Sequence, residues 1–295
     1  MSVWTKSLPF AVCLLALSGP APKFPAQAVP AQSPAEPKPL LAASDPVLDA
    51  AAQWISRALY VRCLCTASTL RFDAEGKLAP DQKTHPVDWT LAGIELQKVT
   101  RKGAEALEFS GVRVAARYAQ DRNEFDRHPL KTFAVKLEVP AAPTPQALNT
   151  LLAKVFSVGI DRALQQSLPP YWQHYFTPTL AWPSEPALQG ATIAVAGTKF
   201  DGITVEPPAV VKKGAGEFTE AAHADKVQGP SILLLTVDPT GKPHHIRVAQ
   251  PLGYGLDAVA VEAISKTLFA PTLIAGKPVA VQFPLKEDFS IAQPF

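Results

Sequence analysis

Charge is scarce in this chain. Asp, Glu, Lys and Arg make up 18% of its 295 residues, and the formal net charge is +2. That is below the usual quarter, and no run of Lys or Arg stands out, so nothing in the charge pattern supports nucleic-acid binding. Cysteine is nearly absent. There are 3 in all, and one of them, Cys13, lies in an N-terminal apolar run. Cys63 and Cys65 therefore have no second ligand pair, which argues against a zinc-type site. No apolar run reaches the ~20 residues that a spanning helix needs. Gly-x-Ser-x-Gly, His-Glu-x-x-His and P-loop patterns are all missing. The expectation is a protein that is not an enzyme and that uses no cofactor and no metal.

Apolar residues are plentiful at 47%, ample for packed cores, and the length suggests about two domains. Residues 1–28 read as a secretory signal peptide. Lys6 supplies the basic start, Leu8 to Leu17 the apolar run and Ala26-Gln27-Ala28 the cleavage site. The alternative is a short uncleaved anchor. Residues 20–46 hold eight of the 30 prolines. Such a stretch favours an extended, semi-rigid path, so 29–46 is taken as a Pro-rich linker. At about 3.1 Å per residue the proline-rich stretch reaches under ~90 Å.

Residues 47–180 read as an α+β domain of unrecognised family, built as helix, antiparallel sheet, helix. Val47, Leu48, Ala51, Ala52, Ile55, Ala58 and Leu59 recur at helical spacing, with Ser44 or Asp45 as cap and Pro46 in the first turn. Trp89 to Val99 and Phe133 to Val139 alternate as strands do. Between Leu107 and Tyr118 the apolar phase shifts at Ser110-Gly111, which suggests a bulge. A second helix is expected after Pro143-Thr144-Pro145, its stripe running from Leu148 through Phe156 and Ile160 to Ala163, stopped by Pro169-Pro170. Cys63 and Cys65 have three readings. Unpaired thiols are expected on a strand, with the two side chains on opposite faces; a disulfide would close a tight, strained ring; a metal or redox role comes last. Asp121, Glu124, Asp126 and His128 mix with Arg122 and Arg127, either as an ion or acid/base site or, better, as a solvated hairpin loop. His174 sits among aromatics that dock the segment onto the domain, rather than stacking a ligand. Residues 181–204 are read as a linker, with a short strand within Ala191–Ala196.

From Val227 the pattern becomes ordered. Val227-Gln228-Gly229 leads into the apolar run Ile232–Leu235, apolar on both faces, and a turn at Asp238-Pro239-Thr240-Gly241-Lys242. Ile246-Arg247-Val248 returns. Gly255-Leu256-Asp257 opens a helix that ends before Phe269-Ala270-Pro271, with Asp257 placed to complement the helix dipole. Gly276-Lys277-Pro278 precedes the last strand. His244 and His245, adjacent in a strand, point to opposite faces and read as exposed histidines rather than a chelating pair.

This series resembles the C-terminal domain of TonB-type energy transducers over about residues 205 to 292. Phe218-Thr219 stands where the family usually has Tyr-Pro, and Thr267 where it usually has Trp. The resemblance implies a small helix-on-sheet domain, here 205–295, whose final strand receives the TonB box of an outer-membrane transporter by strand addition. It implies Val279, Ala280, Val281, Gln282, Phe283 and Leu285 as the partner-binding edge, with Pro284 removing one rung. The expected location is the periplasm of a Gram-negative-type envelope, or the inner membrane facing it. The expected partner is a TonB-dependent transporter, with inner-membrane motor proteins only if the N-terminus is retained. The alternative is a structural or self-associating envelope protein, such as a homodimer, that uses the same fold as an interaction module.

Overall fold

The computed structural model describes residues 45–291. The expected signal peptide and nearly all of the Pro-rich linker lie outside the described residues. Asp45 accepts from the amides of Val47 and Leu48 and so caps α1 (Pro46–Ala52), with Pro46 in the first turn. The helix is shorter than its apolar spacing suggests. Ser56 at φ 65° turns the chain, and Leu59 starts β1 (Leu59–Val61).

The next segment corrects the cysteine reading. Cys63 and Cys65 form a disulfide, with Cα atoms 5.3 Å apart. The expectation that they face opposite ways fails, because residues two apart share a face even in a strand, and the tripeptide here is a turn. Leu64 has φ 44°, and its amide donates to the Val61 carbonyl at 3.1 Å. A disulfide suits an oxidising compartment.

There follow β2 (Cys65–Thr66), β3 (Thr69–Arg71), β4 (His85–Pro86) and a 3₁₀ turn at Trp89–Leu91. The expected strand from Trp89 thus begins later, as β5 (Gly93–Lys102), because Asp88 caps the 3₁₀ turn through Thr90. Two long strands, β6 (Ala106–Ala119) and β7 (Glu124–Pro140), continue the meander. The bulge expected at Ser110-Gly111 lies on the facing strand instead. Leu96 pairs with Gly111 and Lys98 with Ser110, leaving Gln97 as the extra residue. Gly111 is needed there, since a Cβ would stand 2.0 Å from the Glu95 carbonyl oxygen. At the β6–β7 hairpin, Arg122 pairs with Asp121, Glu124 and Asp126 on the surface, as a solvated loop should.

The second long helix is also corrected. α2 (Pro145–Val155) stops at Phe156, which is extended and opens β8 (Phe156–Val158). β8 pairs with β1, and Gly159 at φ 68° turns the chain away. Periodicity could not separate these cases, because Phe156 and Val155 are apolar in either. Short helices α3 (Arg162–Ser167) and α4 (Pro170–Phe176) complete this half. The sheet runs β3-β7-β6-β5-β1-β8. α1 and α2 cover one face, burying Ile94, Leu96, Phe109, Leu137, Leu148 and Leu152.

Beyond α4 come β9 (Ile193–Val195), β10 (Lys199–Phe200), β11 (Ile203–Thr204), β12 (Val210–Lys212) and α5 (Glu220–Ala224). Then follow β13 (Gly229–Val237), β14 (Pro243–Gln250), α6 (Leu256–Ser265), β15 (Leu268–Phe269), β16 (Thr272–Ile274) and β17 (Lys277–Phe289). The order strand, turn, strand, helix, turn, strand is as the sequence suggests, and the fold class is α+β. Local chemistry explains the hairpin. Asp238 Oδ1 accepts from the amides of Thr240 and Lys242 and from the Thr240 hydroxyl. Gly241 has φ 91°, and a Cβ there would meet the Phe269 carbonyl oxygen at 2.0 Å. Thr267 is buried; it donates to the Ala263 carbonyl and accepts from the Gly214 amide. It thereby ties the entry segment to the end of α6.

Residues on both sides of the 181–204 segment share one core, in which Trp89, Ala116 and Trp172 pack with Leu233, Val248, Tyr254 and Leu256.

Candidate functional site

The final strand is the candidate partner-binding element, and its edges decide what it can do. On one side β17 pairs antiparallel with β13 along its length, from Val281 opposite Val237 to Phe289 opposite Gly229. On the other side Lys277–Val279 pair with β16, and Ala280–Gln282 pair in parallel with β9, Ile193 to Val195. Of the expected edge residues, Val279, Ala280, Val281 and Gln282 are thus already paired within the chain. Phe283 and Leu285 lie beyond β9. Phe283 is buried, and Leu285 is half-buried.

The orientation of the main chain follows from two observations. The Gln282 carbonyl accepts from the Ala196 amide at 2.9 Å, so the polar groups of residue 282 face away from β13. Groups two residues on face the same way in a strand. Pro284 therefore falls on the outward side, where it supplies a carbonyl but no N–H. Next on that side are Lys286 and Asp288, which pair with each other at 2.8 Å. The edge beyond β9 is blunted by a proline and then by charge, both of which discourage strand pairing.

β9 itself is lightly held. Its three residues bury only Ala194, while Ile193 and Val195 are 41% and 44% exposed. It lies in the segment read as a connector, and two anchors flank it. Downstream, the Gly197 amide donates to the Val205 carbonyl and the Val205 amide to the Thr198 carbonyl, closing the β10–β11 hairpin. Upstream, Trp182 stacks between His174 of α4, at 3.5 Å and 10°, and His245 of β14, at 4.8 Å and 14°. Glu185 bonds His244, whose other ring nitrogen meets Asp238 Oδ2 at 3.0 Å. The histidine pair is thus not exposed as expected. His245 has φ 49°, which breaks the strand alternation and lets both rings engage the same segment. Burial holds the pKa values of His174 and His245 below the ordinary histidine value. His174 lies in the aromatic segment expected to dock on the domain.

A polar seam joins the two sheets behind this edge. Trp172 Nε1 donates to Asp88 Oδ2 at 2.5 Å, Thr90 Oγ1 donates to Asp88 Oδ1 at 2.6 Å, and the Gly255 amide donates to Thr90 Oγ1 at 2.7 Å. Asp257, expected only to complement the dipole of α6, is fully buried. It accepts from the amides of Leu252 and Gly253 at 2.8 and 2.7 Å and from the Ser231 hydroxyl at 2.6 Å. Burial pushes its pKa up to about 7 despite those donors, and burial raises Asp88 as well. Sequence reasoning missed Asp88, because one acidic residue before Trp89-Thr90 has no local signature.

Among the described residues no helix is long and apolar enough to cross a membrane. No curated protein matches the chain. Residues 216–291 match the family described as Gram-negative bacterial TonB protein C-terminal. The matched span takes in the entry segment, the Asp238–Lys242 hairpin, the helix with its buried Asp257 and the final strand. Residues 216–291 therefore form a TonB C-terminal domain.

Proposed function

We propose that this protein captures an extended segment of an envelope partner on the outer edge of β17, by exchange with its own β9. The observation that carries this reading is the parallel pairing of Ile193–Val195 on Ala280–Gln282. An intramolecular strand occupies the edge proposed for the partner, and it does so through three residues, two of whose apolar side chains are exposed. Main-chain hydrogen bonds of this kind contribute about 1 kcal/mol each net. The incumbent is therefore weak enough for a longer strand to displace. The fitting partner is the TonB box of an outer-membrane transporter, in energy-coupled transport from the periplasmic side. Transmission of force from inner-membrane motor proteins would further require a retained N-terminal anchor.

The test is fluorescence anisotropy of the full chain with a labelled TonB-box peptide. Ala194→Asp places a carboxylate in the buried position of β9 and releases that strand. The variant is expected to bind the peptide at least about tenfold more tightly than the wild type, since removing a competitor worth 1.4 kcal/mol gives that factor. Equal affinities would mean that the peptide does not use the β9 site. A second reading, a structural or self-associating envelope module, is favoured by Pro284 and the Lys286–Asp288 pair beyond β9. It predicts that Ala194→Asp binds no peptide and instead dimerises in sedimentation velocity as concentration rises.

A further inference from the structure

Among the described residues, Arg113 is a buried cation without a paired counter-charge. It lies on β6, is 5% exposed, and makes one side-chain hydrogen bond, from Nη2 to the Ala67 carbonyl at 3.1 Å. Its Nη1 is buried and has no partner. Burial alone moves its pKa, down to about 10, so no carboxylate offsets it. Buried charges in proteins are ordinarily paired, and a buried donor left unmatched costs free energy. The arrangement calls for an anion.

The space for one is present. Arg113 lines a cavity of ≈ 250 Å³ walled by Val87, Leu91, Leu130, Phe133 and Ala221, with Thr66, Thr219 and Glu220 beside it. The cavity adjoins a wider cleft of ≈ 600 Å³ that shares Thr66, Arg113, Phe133 and Glu220. An irregularity in the sheet makes this opening. Val112 pairs with Ala134 but Arg113 pairs with Leu130, so Lys131, Thr132 and Phe133 loop out of β7 beside the guanidinium. Bulges of this kind recur next to binding sites. The far wall is α5, within the TonB C-terminal domain. Glu220 is exposed at the rim, where it disfavours anions of high charge.

We propose that this cavity binds a small apolar monocarboxylate, its carboxylate on the free face of Arg113 and its hydrocarbon among Leu91, Leu130 and Phe133. At about 30 Å³ per water, the cavity has the room of roughly eight waters. That suits a short acyl or aryl acid and excludes a long acyl chain. One charged group against apolar walls also favours a monocarboxylate over phosphate or sulfate, whose remaining charge would stay desolvated.

The test is calorimetric titration of the full chain with hexanoate, with hexanamide as the neutral isostere and with inorganic phosphate. Hexanoate is expected to bind at least about tenfold more tightly than either, the factor that one charge-assisted hydrogen-bond pair supplies. Arg113→Met is expected to abolish the preference for hexanoate over hexanamide, while its melting temperature equals or exceeds that of the unliganded wild type. A structural arginine would give the opposite result in melting. Thr66→Phe, which fills the mouth and keeps the cation, is expected to block hexanoate while leaving the fold intact; it covers the case in which Arg113→Met fails to fold. Equal binding of hexanamide and hexanoate, no heat with hexanoate, or unchanged binding in Thr66→Phe would each overturn the assignment.

Discussion

Trp172→Ala is expected to lower the unfolding free energy by about 4–8 kcal/mol. Trp172 is fully buried and is the hub of an aromatic cluster. Its ring lies 5.3 Å from Trp89 and 5.3 Å from Tyr175, both edge-on, and 6.4 Å from Phe125. Truncating a buried Trp costs about 3–5 kcal/mol through lost transfer and the cavity left behind. The indole N–H also bonds Asp88, and leaving that acceptor unmatched adds about 1–3 kcal/mol. Set against a total of about 5–15 kcal/mol, the loss approaches complete unfolding. Trp172→Phe keeps a ring in the cluster and removes the donor, so about 1–3 kcal/mol is expected there. Urea unfolding followed by far-UV circular dichroism measures both. A loss under 1 kcal/mol for the alanine variant would show that α4 does not hold the seam between the sheets. The seam also sets the shape of the transition. Because Thr90 bonds the Gly255 amide at the start of α6, the wild type is expected to unfold in one step. The alanine variant is expected to show two, with the TonB C-terminal domain separating from the β5–β7 sheet.

What could be read from the sequence was local. The Asp238–Lys242 hairpin is specified by a side-chain acceptor and a glycine within five residues, and the Asp45 cap by one carboxylate and Pro46. Strand alternation placed β7, a run apolar on both faces placed β13, and the ordered motifs placed α6 and the last strand. What could not be read was non-local or depended on a single backbone angle. Phe156 continues an apolar helical stripe, yet it serves β8 because β1 offers an edge. Cys63 and Cys65 meet because Leu64 adopts φ 44°, an angle that no pattern in Cys-Leu-Cys announces. The residues expected at the partner edge lie on the last strand, but the occupant of Ala280–Gln282 comes from the connector, and pairing between distant segments leaves no periodic trace. Arg113 had a faint signal, a lone cation inside Gly111-Val112-Arg113-Val114-Ala115-Ala116. Composition alone could not say whether it pointed to solvent or into the protein.

The stability of this protein is expected to fall as pH rises from about 4 to about 7, by an amount that Asp257→Asn largely removes. Asp257 is fully buried, and burial raises its pKa from 3.8 to about 7. The folded state therefore binds this proton more tightly than the unfolded state does. The resulting stabilisation is fully present below pH 3.8, declines as pH rises, and is gone above about 7. A shift of this size corresponds to on the order of 4 kcal/mol. Asp88, raised in the same direction by burial, adds to the slope. His174 and His245 oppose it, because their lowered pKa values mean that the unfolded state takes up protons first as pH falls below the ordinary histidine value. Comparing the wild type with Asp257→Asn cancels the histidines, which both proteins share. Leu252 donates to Oδ1 and Gly253 to Oδ2, so the single asparagine oxygen keeps one of the two amide bonds and the variant carries an offset that does not change with pH. At pH 8, where the wild type buries a carboxylate, its margin over the variant is expected to be smallest. At pH 5 the wild type is expected to gain several kcal/mol on the variant. Urea titrations at the two pH values measure the gap directly. A gap that stays constant from pH 5 to pH 8 would show that Asp257 keeps its ordinary pKa, with the three donors outweighing burial. The same groups position the start of α6 against the β5–β7 sheet, so a protein that loosens above pH 7 should loosen first at Leu252 and Gly253. Amide hydrogen exchange at those two positions, faster at pH 8 than intrinsic chemistry allows for and without that pH dependence in Asp257→Asn, places the titration at this carboxyl rather than at Asp88.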